Sequence, residues 1–145
     1  MVDNPTYVDI NILVYWLGKH PEFGETALFW IKKIENSQRG KYVTSSLTLY
    51  EILVIIAGLT GKNLKNQASV TDVINAVTRI KGLIIEPLKP EDFTKAFDLM
   101  KECNLDYEDS IHLATARRTN ATEIVSNDKD FDKVKWIKRL WEQTE

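Results

Sequence analysis

The chain has a single cysteine, Cys103, so no internal disulfide can staple it, and its chemistry suits a reducing, cytoplasmic environment. With only two histidines, His20 and His112, it offers no His/Cys set at zinc spacing; His20 falls in a loop and His112 reads as a packing residue. Its six glycines form no glycine-rich phosphate loop, and no serine carries a nucleophile signature. The longest uncharged apolar run, residues 52–59, is far shorter than the roughly 20 residues a membrane span needs. No basic segment leads the first ten residues, which carry Asp3 and Asp9, so no signal peptide is expected. Excess charge of one sign is missing too: the net charge of -2 leaves no global footprint for nucleic acid.

What is present is the composition of one globular domain. Of 145 residues, 43% are hydrophobic and 28% charged, enough to bury a real core in a single domain over residues 1–145. Short runs at 7–9, 41–44, 83–88, 123–125 and 136–140 read as strands. Helices are expected between them, the first apolar and running to about Gly18. In the next, over about 22–37, Phe23, Ala27, Trp30, Ile31 and Ile34 recur at helical spacing. Ser45 or Ser46 can cap a third helix that stops near Gly61, and a fourth covers about 70–81 after a polar loop. Pro90, Glu91 and Asp92 open another, and a last one covers about 107–119. Strands separated by helices indicate an α/β domain with a mostly parallel sheet and helices on both faces, whose ligands bind outside the carboxyl ends of the strands.

Four carboxylates sit where their neighbours are apolar. Asp9 follows Tyr7 and Val8 at a strand tip, and Asp128 follows Ile124 and Val125 at another. Glu51 is the only charge on "SLTLYEILVIIAGL", a helix apolar nearly all round, which is expected to be buried on most sides and so to need a cation, a proton or an outlet for that acid. Asp109 shares a helical face with Leu113 and Ala116. Each has an ordinary reading as a cap, a turn residue or a first-turn acid behind an Asp106 N-cap. Together they suggest converging carboxylates, which repel unless a divalent cation lies among them. Hard oxygen ligands without His or Cys fit Mg²⁺ or Mn²⁺, and such a site activates water and clamps a phosphate. Asn11 and Ser126 supply uncharged oxygens beside the acids. Five basic residues between 129 and 139 (Lys129, Lys133, Lys135, Lys138, Arg139) adjoin Asp128, with Arg117 and Arg118 as further cations; they read either as a solvated surface or as a patch that steers a phosphate backbone.

"YVDINILVY", the Glu51 helix, "DSIHLATA" and "VSNDKDF", in this order over residues 7–140, resemble the PIN-domain ribonucleases, especially the VapC-type toxins of toxin–antitoxin pairs. The resemblance implies a PIN-like three-layer α/β/α sandwich and a Mg²⁺- or Mn²⁺-dependent endoribonuclease acting on single-stranded or looped RNA. It implies Asp9, Glu51, Asp109 and Asp128 as catalytic residues and Asp9, Asp109 and Asp128 as metal ligands. Asn11 and Ser126 match its polar supporting positions, and Asp130 and Asp132 both match a further acid. It also implies a homodimer and a cognate antitoxin protein, with no membrane partner. The apolar surplus on the Glu51 helix and the succession Leu28, Phe29, Trp30 fit either such partners or a core.

Other chemistries fit less well. A phosphatase of the haloacid dehalogenase kind needs a second acid two residues after the strand-tip Asp, where this chain has Asn11. A receiver-like domain needs paired acids on the first strand and an acceptor on the third, which here ends in Glu86 and Pro87. A catalytically silent PIN domain that binds RNA or protein would be expected to lose some of the four acids, all of which are kept here.

Overall fold

Thr6–Val8 is a run of three fully buried residues and forms the central strand, β1. In the computed structural model, which describes residues 2–143, it is followed by β2 (Tyr42–Ser45), β3 (Leu83–Glu86), β4 (Glu123–Val125) and β5 (Lys138–Leu140). The order across the sheet is β3-β2-β1-β4-β5, and every pairing is parallel. Parallel neighbours need crossovers, which are supplied by α1 (Ile10–Leu17), α2 (Gly24–Glu35), α3 (Ser46–Thr60), α4 (Gln67–Thr78), α5 (Pro90–Cys103) and α6 (Tyr107–Arg118). A 3-10 turn, Lys129–Lys133, leads from β4 toward β5.

Alternation along each strand sorts the core into two layers. Tyr7, Val43 and Ile124 point to one face, against Leu99 and Cys103 of α5 and Leu113 and Ala116 of α6. Val8, Tyr42 and Val125 point to the other, against Ile12, Ala27, Trp30, Ile52 and Val77 of the first four helices. The result is an α/β/α sandwich. The chain builds outward from β1 on one side and then returns to β4 on the other, so its topological switch point lies between β1 and β4.

Local signals explain the element ends. Ser45 caps α3 by accepting from the Leu47 amide at 2.9 Å, and Gly61 ends that helix in the left-handed region at φ 69°. Pro90 opens α5, and Asp92 there accepts from the Lys89 amide at 2.9 Å. Several boundaries differ from the sequence expectation. β1 ends at Val8, because Asp9 already caps α1. α4 starts at Gln67, because the Asn66 side chain accepts from the Ser69 amide, and it ends at Thr78. β3 stops at Glu86, ahead of Pro87, which has no N–H for the ladder. β5 begins at Lys138, where its pairing with Glu123 begins.

The expectation that α3 is buried on most sides is overturned. Only Thr48 and Ile52 of this helix are buried, while Tyr50, Val54, Ile55 and Leu59 are exposed, Leu59 to 66%. The helix packs one side on α1 and α4 and also meets β2 and β3, while these four side chains stay open to solvent. Arg118 also leaves the surface patch. Its Nε and Nη2 donate to Asp92 at 2.9 and 2.8 Å and its Nη1 to Glu86 at 2.6 Å, tying β3, α5 and α6 together. Arg117 instead lies over the Trp136 ring.

Candidate active site

The two strand tips meet. Asp9 directly follows β1; its Oδ1 accepts from the Ile10 amide at 2.7 Å while its own amide donates to the Val125 carbonyl of β4 at 3.0 Å. Just past β4 comes Ser126, whose hydroxyl donates to Asp9 Oδ2 at 2.6 Å and accepts from the Asp128 amide at 2.9 Å. One buried hydroxyl therefore sets both acids at the switch point. The neighbour two positions past Asp9 joins as well: Asn11 Nδ2 lies 3.5 Å from the same oxygen.

Asp109 comes from the far layer. Asp106 caps α6 by accepting from the Asp109 amide at 2.8 Å, which puts Asp109 in the first turn. The capping reading and the clustering reading are both satisfied, since carboxylate oxygens of Asp109, Asp128 and Asp130 lie within 4.8 Å of one another. Asp130 is placed by its amide, which donates to Asp128 Oδ1 at 2.9 Å. Asp132 is turned away and gripped by Arg139, whose Nε donates to it at 2.9 Å. That guanidinium holds the Asp132 carboxyl below the usual range. Of the two acids that the spacing left open, Asp130 adjoins the cluster and Asp132 does not.

The electrostatics record the crowding. Burial pushes the Asp109 carboxyl up to about 7, and the charges of Asp106, Asp9 and Asp128 push in the same direction. Asp9 is also raised, chiefly by burial and against the pull of its Ser126 hydrogen bond. The donor set is all oxygen, as Mg²⁺ or Mn²⁺ prefers. Asn11 Oδ1 is buried beside it without a hydrogen-bond partner among the described residues, which suits a water held on a cation. The residues present therefore fit a divalent ion.

Glu51 is placed differently from the aspartates. Its side chain is 12% exposed, and its Oε1 lies 2.8 Å from His112 Nε2. Its ligand atom groups with those of His112 and Glu108, not with those of Asp109, Asp128 and Asp130. His112 is thus more than a packing residue, the role the sequence suggested for it. Its other nitrogen, Nδ1, lies 2.6 Å from the Tyr7 hydroxyl. Burial disfavours a charged ring, yet Tyr7 and Glu51 on its two nitrogens push the His112 pKa up. The contact spans 61 positions and leaves no spacing signal. The only clue was that Glu51 needed a cation.

Of the basic residues beside the cluster, Lys129, Lys133 and Lys135 are exposed. Lys133 Nζ donates to the Asn104 carbonyl at 3.2 Å and approaches Asp130 at 3.6 Å. Arg139 is taken up by Asp132 and by the Ser126 carbonyl.

The family model for the PIN domain matches residues 6–137. Three solved structures share the fold. A toxin–antitoxin complex from Klebsiella pneumoniae is 19% identical with a TM-score of 0.66, covering 91% of this chain and 94% of that one. VapBC2 from Rickettsia felis, bound to a DNA fragment from its promoter, is 17% identical with a TM-score of 0.68, covering 94% and 98%. VapC20 from Mycobacterium tuberculosis, a sarcin–ricin loop cleaving toxin, is 14% identical with a TM-score of 0.69, covering 91% and 96%. No curated protein matches the sequence. With its family match spanning most of the sequence and its acids gathered at the switch point of a parallel sheet, the chain belongs to the PIN-domain family.

Proposed function

We propose that the chain is a Mg²⁺- or Mn²⁺-dependent endoribonuclease and the toxin of a toxin–antitoxin pair, acting on cytoplasmic RNA. The observation that carries this is the convergence of Asp109, Asp128 and Asp130 within 4.8 Å, with Asp9 joined to Asp128 through the Ser126 hydroxyl. The likeness in fold to toxin–antitoxin proteins, one of them a sarcin–ricin loop cleaving toxin, points the same way.

In this reading Asp9, Asp109 and Asp128 hold the ion, with Asp130 beside them. When bound, the ion supplies a water of lowered pKa and neutralises charge on the scissile phosphate. Ile10 and Ser126 fix both oxygens of Asp9, and Ser126 also fixes the start of the turn that carries Asp128. Asn11 Oδ1 accepts from a water in the site. Glu51 acts as a further catalytic acid from the second turn of α3. Lys129, Lys133 and Lys135, exposed in the segment that follows Asp128, would draw a phosphate backbone. Uncovered apolar side chains on α3 (Tyr50, Leu59) and α5 (Phe93, Phe97) support protein partners, namely a second copy of the chain and an antitoxin. Among the described residues no helix is long and apolar enough to cross a membrane.

The test is cleavage of a panel of structured RNAs with EDTA, Mg²⁺ or Mn²⁺, comparing the wild type with Asp9→Asn. Cutting that needs the metal and vanishes in the variant supports the proposal. Cutting that persists in EDTA or in Asp9→Asn contradicts it, and a wild type that binds RNA without cutting favours the silent binding domain.

A further inference from the structure

We propose that His112 is a positioning residue for the Glu51 carboxylate: the Tyr7 hydroxyl locks one ring nitrogen, and the other holds the acid. The proposal rests on the reading of the chain as a ribonuclease with Glu51 among its catalytic groups, and it assigns a residue that this reading leaves without a task.

The geometry is a three-residue chain through three elements. Tyr7 lies fully buried on the central strand, two positions before Asp9. Its hydroxyl is 2.6 Å from His112 Nδ1, and His112 Nε2 is 2.8 Å from Glu51 Oε1. The ring is 2% exposed, with both nitrogens engaged, so a flip would break two buried hydrogen bonds at once. The direction of the second bond follows from the carboxylate. With Glu51 ionised the acid can only accept, so Nε2 carries a proton and donates to it, whether the ring is neutral with the Tyr7 hydroxyl donating to Nδ1 or charged with protons on both nitrogens.

Glu51 needs that donor. Its side chain is mostly buried, and no other hydrogen bond to it exists among the described residues. Glu108, exposed one turn before His112, places a carboxylate oxygen within 4.8 Å of the Glu51 and His112 ligand atoms. Like charge at that range pushes Glu51 away, and His112 opposes the push. An apolar side chain of the same size would fill the core equally well, so packing does not account for an imidazole here. The rigid link also couples Glu51 to the strand that carries Asp9. The two acids, on different elements, are thereby held to one frame.

The test is a double-mutant cycle of His112→Leu and Glu51→Gln, with cleavage measured at saturating Mn²⁺. His112→Leu is expected to lower kcat about 10- to 100-fold, the usual effect of losing a residue that orients a catalytic group. KM for RNA should change less than about twofold, and the double variant should be no slower than Glu51→Gln alone. Tyr7→Phe, which removes one oxygen, should give a smaller loss, and His112→Gln, which keeps an N–H donor, a partial rescue. These two carry the cycle if His112→Leu does not fold. Independently of activity, nitrogen-15 NMR should show a His112 Nε2 proton protected from exchange that shifts in Glu51→Gln. Additive losses in an active enzyme, or an Nε2 signal indifferent to Glu51→Gln, overturn the assignment alone. A wild type that cuts no RNA under any metal overturns the ribonuclease reading and this inference together.

Discussion

Replacing Asp109 by Asn should stabilise the metal-free protein while abolishing its metal response. Asp109 is crowded by Asp9, Asp106 and Asp128 and has its pKa raised from 3.8 to about 7. At about 1.4 kcal/mol per pH unit, that displacement corresponds to about 4 kcal/mol against the ionised form. Asp109 keeps part of its surface in water, so screening reduces this to about 1–2 kcal/mol. The sign follows from linkage. A carboxyl whose folded pKa is raised contributes stability that is fully present below the unfolded value and is lost as pH rises through the folded one. Without metal, the wild type should therefore weaken from about pH 4 to about pH 7, and Asp109→Asn should lack that part of the decline. At pH 8 in EDTA the variant should melt about 3–6 °C higher. A cation reverses the order, because it must displace the Asp109 proton. With a pKa of about 7, apparent affinity should be about 30-fold weaker at pH 5.5 than at pH 8. Thermal unfolding in EDTA, Mg²⁺ and Mn²⁺ at the two pH values measures all of this. A variant no more stable than wild type at pH 8 in EDTA, or a metal-induced rise in Tm that is equal at both pH values, would refute the reasoning.

Three further outcomes follow from separate parts of the molecule. Arg118→Ala strands the buried Asp92 without its cation and should cost about 3–5 kcal/mol in urea unfolding. Burial alone would raise the Asp92 carboxyl, but the paired bonds from Arg118 hold it below its usual value. Its contribution in the wild type is therefore present above about pH 4 and lost on further acidification, and this acid-induced loss should be absent from Arg118→Ala. Gly82→Ala would place a Cβ against the Ile34 carbonyl in a segment whose own carbonyl accepts from Tyr42, and should destabilise by about 2 kcal/mol or more in the same assay. Asp130→Ala should reduce cleavage far more than Asp132→Ala, since Asp130 adjoins the cluster and Asp132 is spent on Arg139; equal losses would contradict that division.

Much of this architecture is local chemistry and can be read from short stretches. Tyr7-Val8 running into Asp9, and Ile124-Val125 into Ser126, mark strand tips because a parallel sheet buries its strands and opens at their carboxyl ends. Ser45, Gly61 and Pro90 mark helix ends for stereochemical reasons that do not depend on the rest of the fold. What stayed hidden depends on tertiary partners. Glu51 was recognisable as an acid in need of a partner, but the partner is an imidazole on α6 fixed by a hydroxyl on β1, a link with no periodicity. The apolar surround of α3 fits a buried helix or a partner surface equally well in the sequence, and one side of that helix faces outward. Hydrophobicity records what a side chain avoids; it does not tell a core from an interface. Asp130 and Asp132 were equivalent by spacing and were separated only by Arg139, on a strand that folds back beside the turn.

The central claim, that the acids at the switch point form a cation site, is tested most directly by Mn²⁺ binding followed by electron paramagnetic resonance. The wild type should take up Mn²⁺ saturably and Mg²⁺ should compete for it. The Asp109→Asn, Asp128→Asn double variant, folded by circular dichroism, should bind none. Undiminished binding in that variant, or a folded wild type that binds no Mn²⁺ at pH 8, would contradict the account.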